Sequence, residues 1–166
     1  MKARIFGIFA CLVLGACSTA IETRTAMPED IQHNLAVDDV LVTAPSTDIE
    51  KAVLERLKTA VEQGFAAEVK GAKPVHVNIT VNDFKVQSGA GRFFLGALMG
   101  ANHMDVSVQV TDDAGVELAV FDVRREANPG GLGAFYSQTN ATIDETAKGV
   151  VAAVMGRPVD EEKKKS

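Results

Sequence analysis

The clearest order in the chain is a period of two. Val75, Val77, Ile79 and Val81 are apolar, and His76, Asn78, Thr80 and Asn82 between them are polar. That alternation predicts a half-buried strand over Val75–Val86. The phase flips at Asn82-Asp83, after which Phe84 and Val86 take the apolar positions. One residue too many in a period-two pattern predicts a β-bulge there. The same period returns at Val106, Val108 and Val110, stops at Asp112-Asp113-Ala114-Gly115, and resumes at Val116, Leu118 and Val120 before Phe121 and Val123 take the other phase. This predicts a hairpin over Asp105–Glu126. A shorter apolar run centred on Val40, Leu41 and Val42 predicts a strand over Leu35–Ala44, ended by Pro45.

Two stretches follow the 3.6-residue period instead. Ile49, Val53, Leu54, Leu57, Val61 and Phe65 mark one helix face, with Thr47-x-x-Glu50 as a capping box and Gly71 and Pro74 as stops. Ile143, Ala147, Val150, Val151 and Val154 mark a second, starting near Asn140, with Thr142 and Glu145 as its capping box and Gly156 and Pro158 at its end. The predicted fold is therefore α+β, with two layers. A mainly antiparallel four-stranded sheet carries two helices on one face, in the order β-α-β-β-β-α. Its other face is polar around Asn78, Thr80, Asn82, Ser107 and Gln109.

The first residues add an address. Lys2 and Arg4 precede an apolar run from Ile5 to Leu14, which is too short to span a bilayer and has the layout of a signal peptide. Leu14-Gly15-Ala16-Cys17 then resembles the bacterial lipoprotein box. That resemblance implies recognition of Leu14, Gly15 and Ala16 by the signal peptidase, cleavage before Cys17, and covalent lipid (palmitate among its chains) on the Cys17 thiol. Ser18, in the place where an aspartate would retain the protein in the inner membrane, implies the outer membrane and its periplasmic face. The expected organisation is a signal peptide at 1–16, a lipidated N-terminus and flexible tether at 17–34, one domain at 35–156 and a disordered charged tail at 157–166.

Composition narrows the function classes. The chain has 17 basic and 22 acidic residues, a net charge of −5, and losing Lys2 and Arg4 with the leader takes this to about −7. With no basic patch, nucleic acid is not an expected partner. Of two cysteines, Cys11 lies in the leader and Cys17 is assigned to lipid, so the domain relies on packing rather than a disulfide. Three histidines (His33, His76 and His103) fall in the tether, a strand and a loop, and none has metal-ligand spacing. Ser88-Gly89-Ala90-Gly91-Arg92 lacks the Gly-Lys-Ser/Thr ending of a phosphate loop. Asp83 and Asp105 would come together if their strands pair, and paired carboxylates can do acid–base work; solvated strand-end residues are the plainer reading. The expectation is no enzyme activity, no metal and no cofactor beyond the lipid on Cys17.

Two glycine-rich stretches interrupt the pattern, at 87–104 and 127–137. The first carries Arg92, Phe93, Phe94, Leu95, Gly96, Leu98, Met99 and Gly100, which the fold does not obviously need. These residues can tuck under the domain edge, touch a protein partner, or meet lipid or a second copy of the chain.

From Val77 onward the chain resembles a family of bacterial lipoproteins known as domain of unknown function 4410. The residues carrying the resemblance are Asp83-Phe84, Gly91-Arg92, Gly96, Gly100, Val106-Ser107-Val108, the Asp112–Gly115 turn, Gly130-Gly131-x-Gly133 and the closing helix with Ala147. The resemblance covers roughly residues 36–156 and implies no activity. The architecture also looks like envelope accessory domains that sit beside transporters or cell-wall synthases. The resulting expectation is a non-catalytic accessory or protein-binding module of the envelope, attached to the membrane through its anchor. The alternative is a periplasmic ligand- or lipid-binding domain using the space between sheet and helices.

Overall fold

The computed structural model describes residues 18–68, 71–86, 102–127 and 137–158. In chain order these form β1 (Ser18–Thr25), α1 (Glu29–Gln32), β2 (Leu35–Thr43), α2 (Lys51–Glu68), β3 (Lys73–Lys85), β4 (Asn102–Thr111), β5 (Glu117–Ala127) and α3 (Ser137–Val154). The strands make one sheet in the order β1-β5-β4-β3-β2. All neighbours are antiparallel except β2 and β3, a parallel pair whose crossover is α2. The α+β class and the mainly antiparallel sheet are as expected. The four-stranded, two-helix layout is not: there is a fifth strand and a third, short helix.

The correction falls on residues 17–34, which from Ser18 onward are structure rather than tether. β1 pairs with β5 from Ser18↔Glu126 to Thr25↔Val120. An edge strand can be held mostly by its ladder, so it needs few apolar residues. Here Ile21 alone packs against the core, with Thr19 and Thr23 supplying branched side chains that suit a pleat. The chain then passes from one edge of the sheet to the other, burying Met27 to 6% exposure on the way. Asp30 of α1 forms an ion pair with Lys73 of β3.

The hairpin turn forms where the pattern placed it. Asp112 Oδ1 accepts from the N–H groups of Ala114 and Val116, each at 2.9 Å, and Gly115 takes φ +78°, a left-handed conformation that glycine reaches without strain. The bulge also forms, between Val81 and Asp83. On β5 the buried set is Ala119, Phe121 and Val123, whereas Val116 is 57% exposed. The change of phase therefore comes before Ala119 rather than after Val120: Val110 lies opposite Ala119 and Thr111 opposite Glu117, and Leu118, at the register shift between them, is half-buried against the core.

Both helices start elsewhere than expected. The Ser46 hydroxyl accepts from the Asp48 N–H at 3.1 Å, which makes a local turn and defers α2 to Lys51. The Thr47–Glu50 capping box is thereby lost. Ile49 and Leu54 still pack against the core, at the positions of a hydrophobic staple. α3 begins at Ser137, so Thr142 is a buried interior residue whose carbonyl accepts from the Thr146 hydroxyl at 2.8 Å. It cannot cap. The predicted core faces hold on both helices: Val53, Leu57, Val61 and Phe65, and Ile143, Ala147, Val150, Val151 and Val154, are buried against the sheet.

Candidate functional site

The register assembles one end of the sheet into a rim. Ser18 pairs with Glu126, Glu126 with His103, and His103 with Lys85, so four strands contribute to one row. Ser18 is the first residue after the candidate lipidation site. Among the described residues, β3 ends at this rim, β4 begins there and β5 ends there. The ends of β3 and β5 and the start of β4 therefore share one end of the sheet with Ser18. Leu14, Gly15, Ala16 and Cys17, and Arg92, Phe93, Phe94, Leu95, Gly96, Leu98, Met99 and Gly100, lie outside the described residues, as does the tail from Val159.

The sheet face opposite the helices is polar, as expected, and its side chains bond to one another. Asn82 donates to the Ser107 hydroxyl at 2.8 Å, and Ser107 donates to Asp122 at 2.8 Å. Gln109 donates to Glu117 at 2.9 Å. Arg24 pairs with Asp122 at 2.5 Å, and Arg124 with Glu126 at 2.9 Å. The pattern reading named the β3 and β4 part of this surface and missed the β5 and β1 part. The signal for β5 was present: Asp122, Arg124 and Glu126 recur at a period of two.

Asp83 and Asp105 are cross-strand partners, as their strands' pairing requires. They do not form an isolated carboxyl pair. Asp83 lies 2.7 Å from His103 Nε2, and that hydrogen bond, more than the neighbouring charges, holds the Asp83 carboxyl below its ordinary value of 3.8. A proton-sharing dyad would raise one carboxyl instead. Asp105 Oδ1 is buried without a hydrogen bond, 3.6 Å from Arg124 Nε. His76 lies on the open face, 3.2 Å from Asp113. Among the described residues no cluster of three or more His, Cys, Asp or Glu could hold a metal ion, and no helix is long and apolar enough to cross a membrane.

The space between the layers is filled. Leu57, Val61, Val75, Val77, Val81, Val108 and Val110 have no exposure, so a ligand there would have to displace core side chains. A groove of about 720 Å³ runs instead between α2 and α3 on the solvent side. Most of its charged wall residues are paired, Arg56 with Asp144 at 2.8 Å, Lys148 with Glu145 at 2.6 Å, and Glu68 with Arg157, while Glu55 takes part in none of the described ion pairs.

Comparison with known proteins gives a family and weak structural likenesses. No curated protein matches the chain in sequence. Two crystal forms of the PelC dodecamer from Paraburkholderia phytofirmans are similar at TM-scores of 0.48 and 0.47, both at 14% identity, covering 84% and 82% of this chain and 98% of that one. A minor lipoprotein from Acinetobacter baumannii is similar at a TM-score of 0.38 and 12% identity, covering 74% of this chain and 93% of the other. The model of the family described as Domain of unknown function (DUF4410) matches residues 19–134, from the second residue of β1 through all five strands, and the chain belongs to that family.

Proposed function

We propose that this protein is a non-catalytic, lipid-anchored accessory module of the bacterial envelope. Cys17 carries the lipid, the outer membrane is the attachment site, and the domain faces the periplasm. The observation that supports this reading is the position of β1. It starts at Ser18, so a lipid on Cys17 is attached to the folded sheet itself rather than to a leash. Each acyl chain contributes about 0.8 kcal/mol per buried CH₂, and two or more chains make the attachment stable.

The partner is an envelope protein met at the membrane surface. Lys85 of β3 and His103 of β4, which flank residues 87–101 in sequence, lie in one row with Ser18, and the run Arg92-Phe93-Phe94-Leu95-Gly96 with Leu98, Met99 and Gly100 is the contact segment. The interlocked polar face and the His103-bound Asp83 fit a surface for display better than one for proton transfer.

A photoreactive amino acid at Phe94, activated in cells, tests the reading. The expected product is one dominant adduct with an envelope protein. Adducts confined to the same chain would mean that the segment is packed, and would sink the proposal. Replacing Cys17 by Ser should abolish palmitate incorporation and release the protein from the membrane fraction.

A further inference from the structure

The anchor fixes more than attachment. We infer that the rim carrying Ser18 lies against phospholipid headgroups, so that the strands stand up from the bilayer and the Asp112–Gly115 turn is distal. This orientation rests on the lipid-anchor reading above and adds to it a defined membrane-contact surface: the row Ser18, Glu126, His103 and Lys85.

Three observations carry it. First, Cys17 and Ser18 are consecutive, so their Cα atoms are about 3.8 Å apart and no spacer separates lipid from strand. Second, β1 cannot swing independently of the domain. It is laddered to β5 from its first residue, the Thr19 hydroxyl accepts from Arg125 at 3.0 Å, and Arg24 pairs with Asp122 at 2.5 Å. A constraint on Ser18 is thus a constraint on the sheet. Third, charge favours the rim over the face. At the rim Glu126 is neutralised by Arg124 and Asp83 is bonded to His103, while Lys85 is exposed and takes part in none of the described ion pairs. A basic residue is drawn to an anionic membrane surface. Lying flat on the open face would instead press Glu22, Asp39 and Glu117 against that surface, with Asp122 paired to Arg24 and Asp105 beside Arg124. From His103 to Asp112 a strand rises about 31 Å, so the two orientations place the turn at very different depths.

The test uses the full-length lipidated protein in vesicles of phosphatidylethanolamine and phosphatidylglycerol containing a headgroup-spin-labelled lipid. Single cysteines at Ala20→Cys, near the rim on β1, and at Ala114→Cys are labelled with a nitrobenzoxadiazole fluorophore. Both positions are exposed, and with Cys17 acylated and Cys11 removed each is the sole free thiol. Quenching at position 20 should exceed that at position 114 by about threefold or more, given the strand's length. Equal quenching would mean that the sheet lies flat, and stronger quenching at 114 that it is inverted; either overturns the orientation while leaving the anchor intact. Flotation of the unlabelled protein with the vesicles is read separately. Failure to float would overturn the anchor reading, and the orientation with it.

Discussion

Along β3, Val75, Val77, Ile79 and Val81 are sealed by the helices, while His76, Asn78 and Thr80, one residue away on the same backbone, are half-buried, with no layer above them among the described residues. Strand geometry makes this possible, because alternate side chains point to opposite faces. The covered face draws its stability from apolar burial, about 1.5–3 kcal/mol for each side chain the size of valine or isoleucine. The open face holds its shape by hydrogen bonds and ion pairs among exposed groups, whose net contributions are small. One face is thus built for stability. The other can change sequence, or meet a partner, with little effect on folding.

The sharpest way to break this comparison is a pair of neighbouring substitutions. Ile79→Ala removes a side chain with 1% exposure from the middle of the core and should cost about 2–5 kcal/mol by denaturant titration. Thr80→Ala, on the open face, should cost less than about 0.5 kcal/mol. Similar losses at both positions would mean that the open face is covered in solution by another layer.

A second substitution sharpens the comparison at the edge. A Cβ at Gly149 of α3 would fall 2.8 Å from Thr19 Cγ2 and 2.8 Å from Val123 Cγ1. Gly149→Val should therefore cost about 1–3 kcal/mol through overpacking. It should also raise amide exchange in β1 more than in β3, since Thr19 belongs to the edge strand. Adding Thr19→Ser, which removes the clashing methyl, should recover part of the loss. No recovery would mean that the strain sits at Val123 alone.

The central strands and both long helices were legible because their residues bury one full face, and burial imposes a period. Ile79 and Leu57 announce themselves in this way. β1 was not legible because an edge strand satisfies itself through backbone pairing. With Ile21 its sole large apolar residue, its threonines read as tether. The helix starts were misplaced for a related reason: Thr47 and Thr142 have caps' chemistry, but a local turn from Ser46 to Asp48 and a longer helix took their places. The rim could not be read at all, since it depends on register among strands far apart in sequence. Ser18 and Lys85 become neighbours in one row only once Glu126 and His103 lie between them.

The smallest expected effect tests whether the open face is held electrostatically. Asp83 is 61% exposed and His103 20%, so their bond at 2.7 Å is screened by water and should contribute about 0.2–1 kcal/mol. The His103 hydrogen bond lowers the folded-state pKa of Asp83 below 3.8, so the ionised carboxylate is favoured by folding. Its contribution is therefore fully present above the ordinary carboxylate value and is lost as the pH falls through the lower folded one. Denaturant titrations of the wild type and Asp83→Asn at pH 5 should differ by that small amount. The difference should shrink below pH 3.8, and added salt should shrink it at pH 5 as well. A loss of several kcal/mol at pH 5 would show instead that the pair is shielded from water, and that the rim side of the open face is not the exposed surface its side chains describe.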